Sequence, residues 1–192
     1  MDFLKVYDTH YQQVRKFILT ITKDDWAADD LIQETFIRVE KNIKSVRKTD
    51  KISSWIFKIA YHLCMDHLKH RNHETLHPVE NETCDFNILP LKKIEQQQMN
   101  DCIREKMDRL SEPMRIIIDL YDIMEFNHKE IAGILSITEE NSKVKLHRAR
   151  KELKSILSQE CSLKYDERNV FICEPITKNQ TKTTWIKPRL NH

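Results

Sequence analysis

The chain has 192 residues, room for one ordinary domain or two small ones, and only one of them is glycine. Glycine-rich phosphate loops, dinucleotide-binding turns and hairpin-dense β-sandwiches need glycine where φ turns positive or backbone must approach a ligand closely, so those classes are disfavoured and a mostly helical fold is expected. With 32 basic and 30 acidic residues the formal charge is +2, a near-neutral total in which only the local distribution of charge can point to a nucleic-acid partner.

Phe3, Tyr7, Tyr11, Val14, Ile18 and Ile21 recur at helical spacing, and Ile32, Phe36 and Val39 do so after an acidic start at Asp24, Asp25, Asp29 and Asp30. Charges at Asp2, Lys5, Asp8, Arg15, Lys16 and Lys23 interrupt the N-terminal segment, so neither a signal peptide nor a membrane span is expected, and the protein is expected to be cytoplasmic. A basic stretch from Lys44 to Lys51 leads into a helix over about Ser53 to His70, with Ile56, Ile59, Ala60 and Leu63 as its buried stripe and Trp55 assigned to the core. Residues 1–73 are thus expected to be a small helical bundle.

The periodicity then fails. Pro78, Pro90 and the acids Glu74, Glu80, Glu82 and Asp85 mark residues 74–95 as an extended linker. Residues 96–158 form a second helical domain, beginning with Met99, Ile103, Met107 and Leu110. Ser111 is expected to cap the next helix, with Pro113 in its first turn and Ile117, Ile118 and Tyr121 facing inward. Asn127 and Glu130 have capping-box spacing, flanked by Phe126 and Ile131 as a hydrophobic staple, and Ile131, Ala132 and Leu135 are the expected core face. A four-residue break, Ser136 to Glu139, holds a second cap at Thr138 before a helix running to about Leu157. Two helices joined by so short a turn are expected to form a helix-turn-helix.

Between Lys143 and Lys154 that last helix has six basic residues and one acid, Glu152. Cations favour helix C-termini in any case, but a basic second helix after a tight turn has the geometry that enters a major groove. DNA binding is therefore the better reading.

Three segments in order, DDLIQETFIRV (Asp29 to Val39), SSWIFKIAYHLCMDHLKHR (Ser53 to Arg71) and FNHKEIAGILSITEENSKVKLHRARKEL (Phe126 to Leu153), resemble a bacterial extracytoplasmic-function sigma factor of the sigma-70 family. The resemblance covers about residues 1–158. It implies an all-α fold of two small helical domains, region 2 over 1–73 and region 4 over 96–158, and a transcription initiation factor with no catalytic activity and no cofactor. Core RNA polymerase and promoter DNA are the implied partners, with an anti-sigma factor as a further candidate.

The implied roles fall on particular residues. Asp30, Gln33, Glu34 and Ile37 share a face away from Ile32, Phe36 and Val39, where an exposed hydrophobe among carboxylates suits a protein contact; the resemblance makes it the polymerase-docking face. Lys58, His62, Asp66 and Lys69 share the face of the third helix opposite its apolar stripe, and the preceding loop adds Arg47 and Lys48. Arg47, Lys48, Lys58, His62 and Lys69 are the expected minus-10 contacts, with His62 implied in the pocket for an unstacked base. For the minus-35 duplex the matching positions are Lys143, Val144, His147 and Arg148, with Lys145 and Arg150 expected on phosphate. Ser136 stands where the family commonly has the turn glycine, and Ser142 replaces a usual valine, which is expected to weaken packing of this helix by about 1 kcal/mol. The one glycine, Gly133, is expected to permit a close helix approach.

Residues 159–192 are a C-terminal extension. Leu163, Tyr165, Phe171 and Ile172 around a polar centre predict a short β-hairpin in which Tyr165 faces Asn169, Leu163 faces Phe171 and Cys161 faces Cys173. Two incidental thiols are favoured there over a redox or metal sensor, and Cys161 and Cys173 are weak metal candidates only. His70 and His73 lack further ligands at metal spacing, and no nucleophile–base–acid set stands out. Two rivals stay open at this point: a helix-turn-helix regulator acting without polymerase, and an enzyme on a histidine-rich bundle.

Overall fold

The computed structural model describes residues 2–46, 51–71, 103–165 and 171–175. Helix α1 (Phe3–Thr22) begins where the Asp2 carboxylate accepts the Leu4 amide at 3.1 Å. It ends where Lys23 turns left-handed at φ 51° and donates its amide to the Leu19 carbonyl. Asp24 then caps α2 (Asp25–Asn42) by accepting the Ala27 amide at 3.1 Å. Its other carboxylate oxygen takes Arg71, the last residue of α3 (Ile52–Arg71), at 3.4 Å. A 3-10 turn, Ile43–Ser45, follows α2.

The three helices close over Val14, Phe17, Ile18, Val39, Ile56 and Phe57, all without exposed surface. The Phe17 and Phe57 rings lie 5.1 Å apart. Neither phenylalanine belonged to the expected stripes; Phe57 takes the inward position that Ile59, half-buried, does not. Tyr7 and Tyr11 sit at the edge of this core, half-buried, with Tyr7 edge-on to Phe36 at 4.7 Å. Trp55 is half-exposed, which corrects its assignment to the core: it stands one residue before the inward-facing pair Ile56 and Phe57.

Helix α4 (Glu112–Ile118) starts at Ser111 with Pro113 in its first turn, but the Ser111 side chain makes no capping bond. It continues as a π-helical turn, Asp119–Ile123, that closes with the Met124 amide on the Asp119 carbonyl at 2.9 Å. Helix α5 (His128–Leu135) has both capping-box bonds: Asn127 Oδ1 accepts the Glu130 amide at 3.1 Å, and Glu130 Oε2 accepts the Asn127 amide at 3.0 Å. Its buried face is Ile131 with Ile134; Ala132 and Leu135 are half-buried. Ser136 ends α5 in the left-handed region at φ 55°, the conformation that favours glycine. Thr138 caps α6 (Glu139–Glu160), its Oγ1 accepting the Asn141 amide at 3.1 Å.

Gly133 is not at a close approach. A Cβ built there meets nothing within 4 Å, and its φ is not positive. The residue sits on the exposed side of α5, away from Ile131 and Ile134.

By packing, the chain divides into one unit of Met1–Asn87 with Leu110–Arg150 and another of Ile88–Arg109 with Lys151–His192. This partition cuts across the module order 1–73, 74–95, 96–158 and 159–192. Within the first unit α5 lies against α3: Phe126 is edge-on to Phe57 at 4.9 Å, and His62 Nε2 is 3.4 Å from Ser136 Oγ. In the second unit Lys106 Nζ reaches Glu160 Oε2 at 2.9 Å, and Arg109 also pairs with Glu160. Strands β1 (Cys161–Tyr165) and β2 (Phe171–Pro175) pair antiparallel in that unit. Their register differs from the expected one by two residues: Tyr165 is opposite Phe171, Leu163 opposite Cys173 and Cys161 opposite Pro175. The cause is loop length, since residues 166–170 intervene where a three-residue loop was expected. The minimal argument for a Cys161–Cys173 site, direct opposition, is thereby lost.

Candidate functional site

On α2, Asp30, Gln33 and Ile37 are exposed and Glu34 is half-buried, so the expected docking face is presented at the surface. Ile37 exposes 37% of its surface. Glu34 Oε1 is held by Arg38 Nε at 2.7 Å, one turn on. Trp26 at 89% exposure shares this stripe, because positions 26, 30, 33 and 37 fall on one helix face. Sequence reasoning missed it. The available signal was an aromatic residue placed on the polar rather than the apolar phase of α2.

The third helix presents an open groove of about 370 Å³ lined by Trp55, Lys58, Ile59 and His62, with Arg38 and Asn42 from the end of α2. It brings together two expected minus-10 residues, Lys58 and His62. Lys69 does not line it; it is exposed and lies 3.4 Å from Asp66. Arg47 and Lys48 lie outside the described residues. Arg38 and Asn42 come from α2, so no spacing on α3 could indicate them, whereas Trp55 falls at helical spacing on the face of Lys58 and His62.

On α6 the inward residues are Ser142, Leu146 and Ala149, and this fixes the outward ones. Lys143, Val144, His147 and Arg148 are exposed, Val144 at 47%, and Lys145 is half-buried at the flank. An exposed valine among cations is a costly surface in water and a useful one against a thymine methyl. Lys143 Nζ is bound to Glu139 Oε1 at 2.9 Å. That hydrogen bond, and then the opposite charge, raise the lysine's affinity for its proton and lower that of the glutamate. The two side chains are 54% and 43% exposed, so solvent screens the pair and it contributes little to stability.

Arg150, expected on phosphate, has a carboxylate partner within the fold. Its guanidinium binds the Asp122 carboxylate, with Nε to Oδ2 at 3.1 Å, and stands 5.0 Å over the Tyr121 ring. Ser142 is fully buried, and its Oγ lies 3.0 Å from His128 Nδ1, so a polar contact stands at this position of the core. Burial also pushes the Cys64 thiol up to about 12, with the Glu112 charge adding to the effect, which leaves it protonated and inert. Among the described residues no group of three or more His, Cys, Asp or Glu side chains could hold a metal, and no helix is long and apolar enough to cross a membrane. His73 lies outside them.

An exposed stripe with acids, Ile37 and Trp26 on α2, an open groove beside α3 and a basic helix-turn-helix follow one another along the chain. The sigma-70 region 2 model matches residues 6–74 and the sigma-70 region 4 model matches residues 100–153, together well over half of the chain. The chain belongs to the sigma-70 family. Among sigma-70 relatives, it is 29% identical over 155 residues to the ECF RNA polymerase sigma factor SigM of Bacillus subtilis (strain 168), covering 81% of this chain and 94% of that one. To the RNA polymerase sigma factor SigZ of the same organism it is 25% identical over 166 residues, 86% of this chain and 93% of the relative. The fold is similar to that of the sigma factor RpoE from Bartonella quintana, solved in complex with the anti-sigma factor NepR. That likeness has a TM-score of 0.65 at 20% identity and covers 81% of this chain and 96% of the other.

Proposed function

We infer that this protein is a transcription initiation factor that binds core RNA polymerase and directs it to specific promoters. The observation that carries the reading is the occurrence of region 2 and region 4, in order, in one chain. The geometry supports a division of labour. Lys143, Val144, His147 and Arg148 read the minus-35 duplex, with Lys145 toward phosphate. Lys58 and His62 hold the separated minus-10 strand, and Trp55 offers the groove a stacking surface for an unpaired base. Asp30, Gln33, Glu34 and Ile37 dock on core polymerase. His62 exchanges its contact with Ser136 for the base when it does so.

On this reading the chain performs no covalent chemistry, acts in the cytoplasm where chromosome and polymerase are, and offers its two DNA-binding regions to an anti-sigma factor. Transcription in vitro with purified core polymerase on genomic fragments tests it. Discrete transcripts that depend on added protein are expected. A protein that does not bind core polymerase overturns the reading in favour of a regulator acting on duplex alone.

A further inference from the structure

At the edge of the helix-turn-helix core, a small set of polar and aromatic groups runs from the buried Ser142 through the half-buried His128 and Tyr121 to the exposed Arg150. His128 is the first residue of α5, and its Nδ1 lies 3.0 Å from the Oγ of Ser142, which is fully buried on α6. The His128 ring also rests on Tyr121 of the π-helical turn, with ring centres 4.8 Å apart and planes 34° apart. The guanidinium of Arg150 stands 5.0 Å over the other partner's ring, Tyr121, and is bound by Asp122. The two aromatic rings therefore meet α6 at two points, residues 142 and 150. Eight residues of helix separate these points, about 12 Å along the axis.

We propose that Ser142 and Arg150, gripping the Tyr121–His128 pair from two turns of α6, are positioning residues that set the rotation of the recognition helix and so the aim of Lys143, Val144, His147 and Arg148. This rests on the reading of α6 as the helix that enters duplex DNA.

The physical argument is directional. A valine at 142 would hold α6 by contacts that tolerate sliding and rotation, whereas a hydrogen bond weakens steeply as its angle departs from linear. Ser142 immediately precedes Lys143, so a bond at its Oγ limits rotation in the same turn that carries the first base-reading side chains. One such bond leaves α6 free to pivot; the second attachment at Arg150 removes that freedom. A shift of about 1 Å at the helix surface is enough to spoil bidentate hydrogen bonds to a base edge while leaving charge attraction to phosphate nearly intact. The clamp is thus expected to govern selectivity more than affinity.

The test uses the full chain bound to core RNA polymerase and a duplex library with a randomised stretch as probe, read by enrichment of a sequence motif over unselected duplex. Ser142→Ala removes one oxygen atom, and His128→Phe keeps the ring on Tyr121 but cannot form the bond. Each is expected to lower motif enrichment by about tenfold, with binding to unselected duplex changed by less than about twofold. His128→Asn, whose amide can replace Nδ1, is expected to recover most of the enrichment. If His128→Phe does not fold, as judged by circular dichroism and thermal melting, Ser142→Ala carries the test alone. Equal enrichment by wild type and Ser142→Ala overturns the clamp and leaves the promoter-reading function standing. A wild-type protein that enriches no motif overturns that function, and the clamp's role with it.

Discussion

The three-helix bundle of α1 to α3 and the helix-turn-helix of α5 and α6 hold themselves together by different means. The bundle has an apolar centre with aromatic rings meeting at 5.1 Å, and its buried hydroxyls, Thr22 and Thr35, donate to carbonyls of their own helices, Ile18 and Leu31, rather than across to another. The helix-turn-helix has a thin centre built on Ile131, Ile134, Leu146 and Ala149, and it buries a serine that is bonded to a histidine. It depends further on local hydrogen bonds: a complete capping box at Asn127 and a threonine cap at Thr138. An apolar core tolerates replacement of surface groups, so the bundle can vary the exposed stripe of α2 without losing stability. A thin, hydrogen-bonded unit ties the direction of its reading face to particular atoms.

Substitutions can break or sharpen this contrast. The largest stability effect should come from Phe57→Ala, since Phe57 is fully buried and its ring touches both Phe17 and Phe126. A loss of about 3–5 kcal/mol is expected, seen as a lower midpoint in denaturant. A loss near 1 kcal/mol would mean that the bundle core collapses around the gap and is less closely packed than described. Lys143→Ala comes next: promoter-specific initiation should fall about tenfold or more, with a small change in binding to random duplex. Equal losses on specific and random DNA would reduce Lys143 to a phosphate contact.

Ile37→Ala should leave thermal stability almost unchanged, because the side chain is already partly in water, while weakening binding to core polymerase by about fivefold in a pull-down titration. Unchanged core binding would remove Ile37 from the docking face and direct attention to Trp26. The smallest effect has the opposite sign. Gly133→Ala should stabilise the protein by about 0.5–1 kcal/mol, since nothing stands within 4 Å of the new methyl group and the backbone is already helical. Destabilisation there would show that the exposed side of α5 is covered in the folded protein.

Much of the architecture was legible before any coordinates. The helix starts at Asn127 and Thr138, the break at Ser136 and the acidic stripe of α2 all follow from residues close together in sequence, and each lies as expected. The outward positions Lys143, Val144, His147 and Arg148 were legible for the same reason: helical period alone assigns them to one side of α6.

The errors have a common origin in long-range contacts. The pairing of Arg150 carried no local signal, because its carboxylate partner, Asp122, is 28 residues away. Ser142 looked like a weak point because its hydrogen-bond partner, His128, lies across the turn on the preceding helix. Arg38 and Asn42 carried no signal, because the groove they line exists only where the end of α2 meets α3. The hairpin was legible from alternation, yet its register depended on a loop length that alternation does not specify.

The scarcity of glycine, the apolar spacing and the local caps were sufficient by themselves to determine a helical chain with a basic helix-turn-helix, because helices are stabilised by neighbours three and four residues apart. Tertiary structure alone decided that Arg150 pairs with Asp122, that Ser142 meets His128, and that Gly133 has no described neighbour within 4 Å of its open side. Those outcomes depend on which distant side chains come within one side-chain length, and no local spacing contains that information.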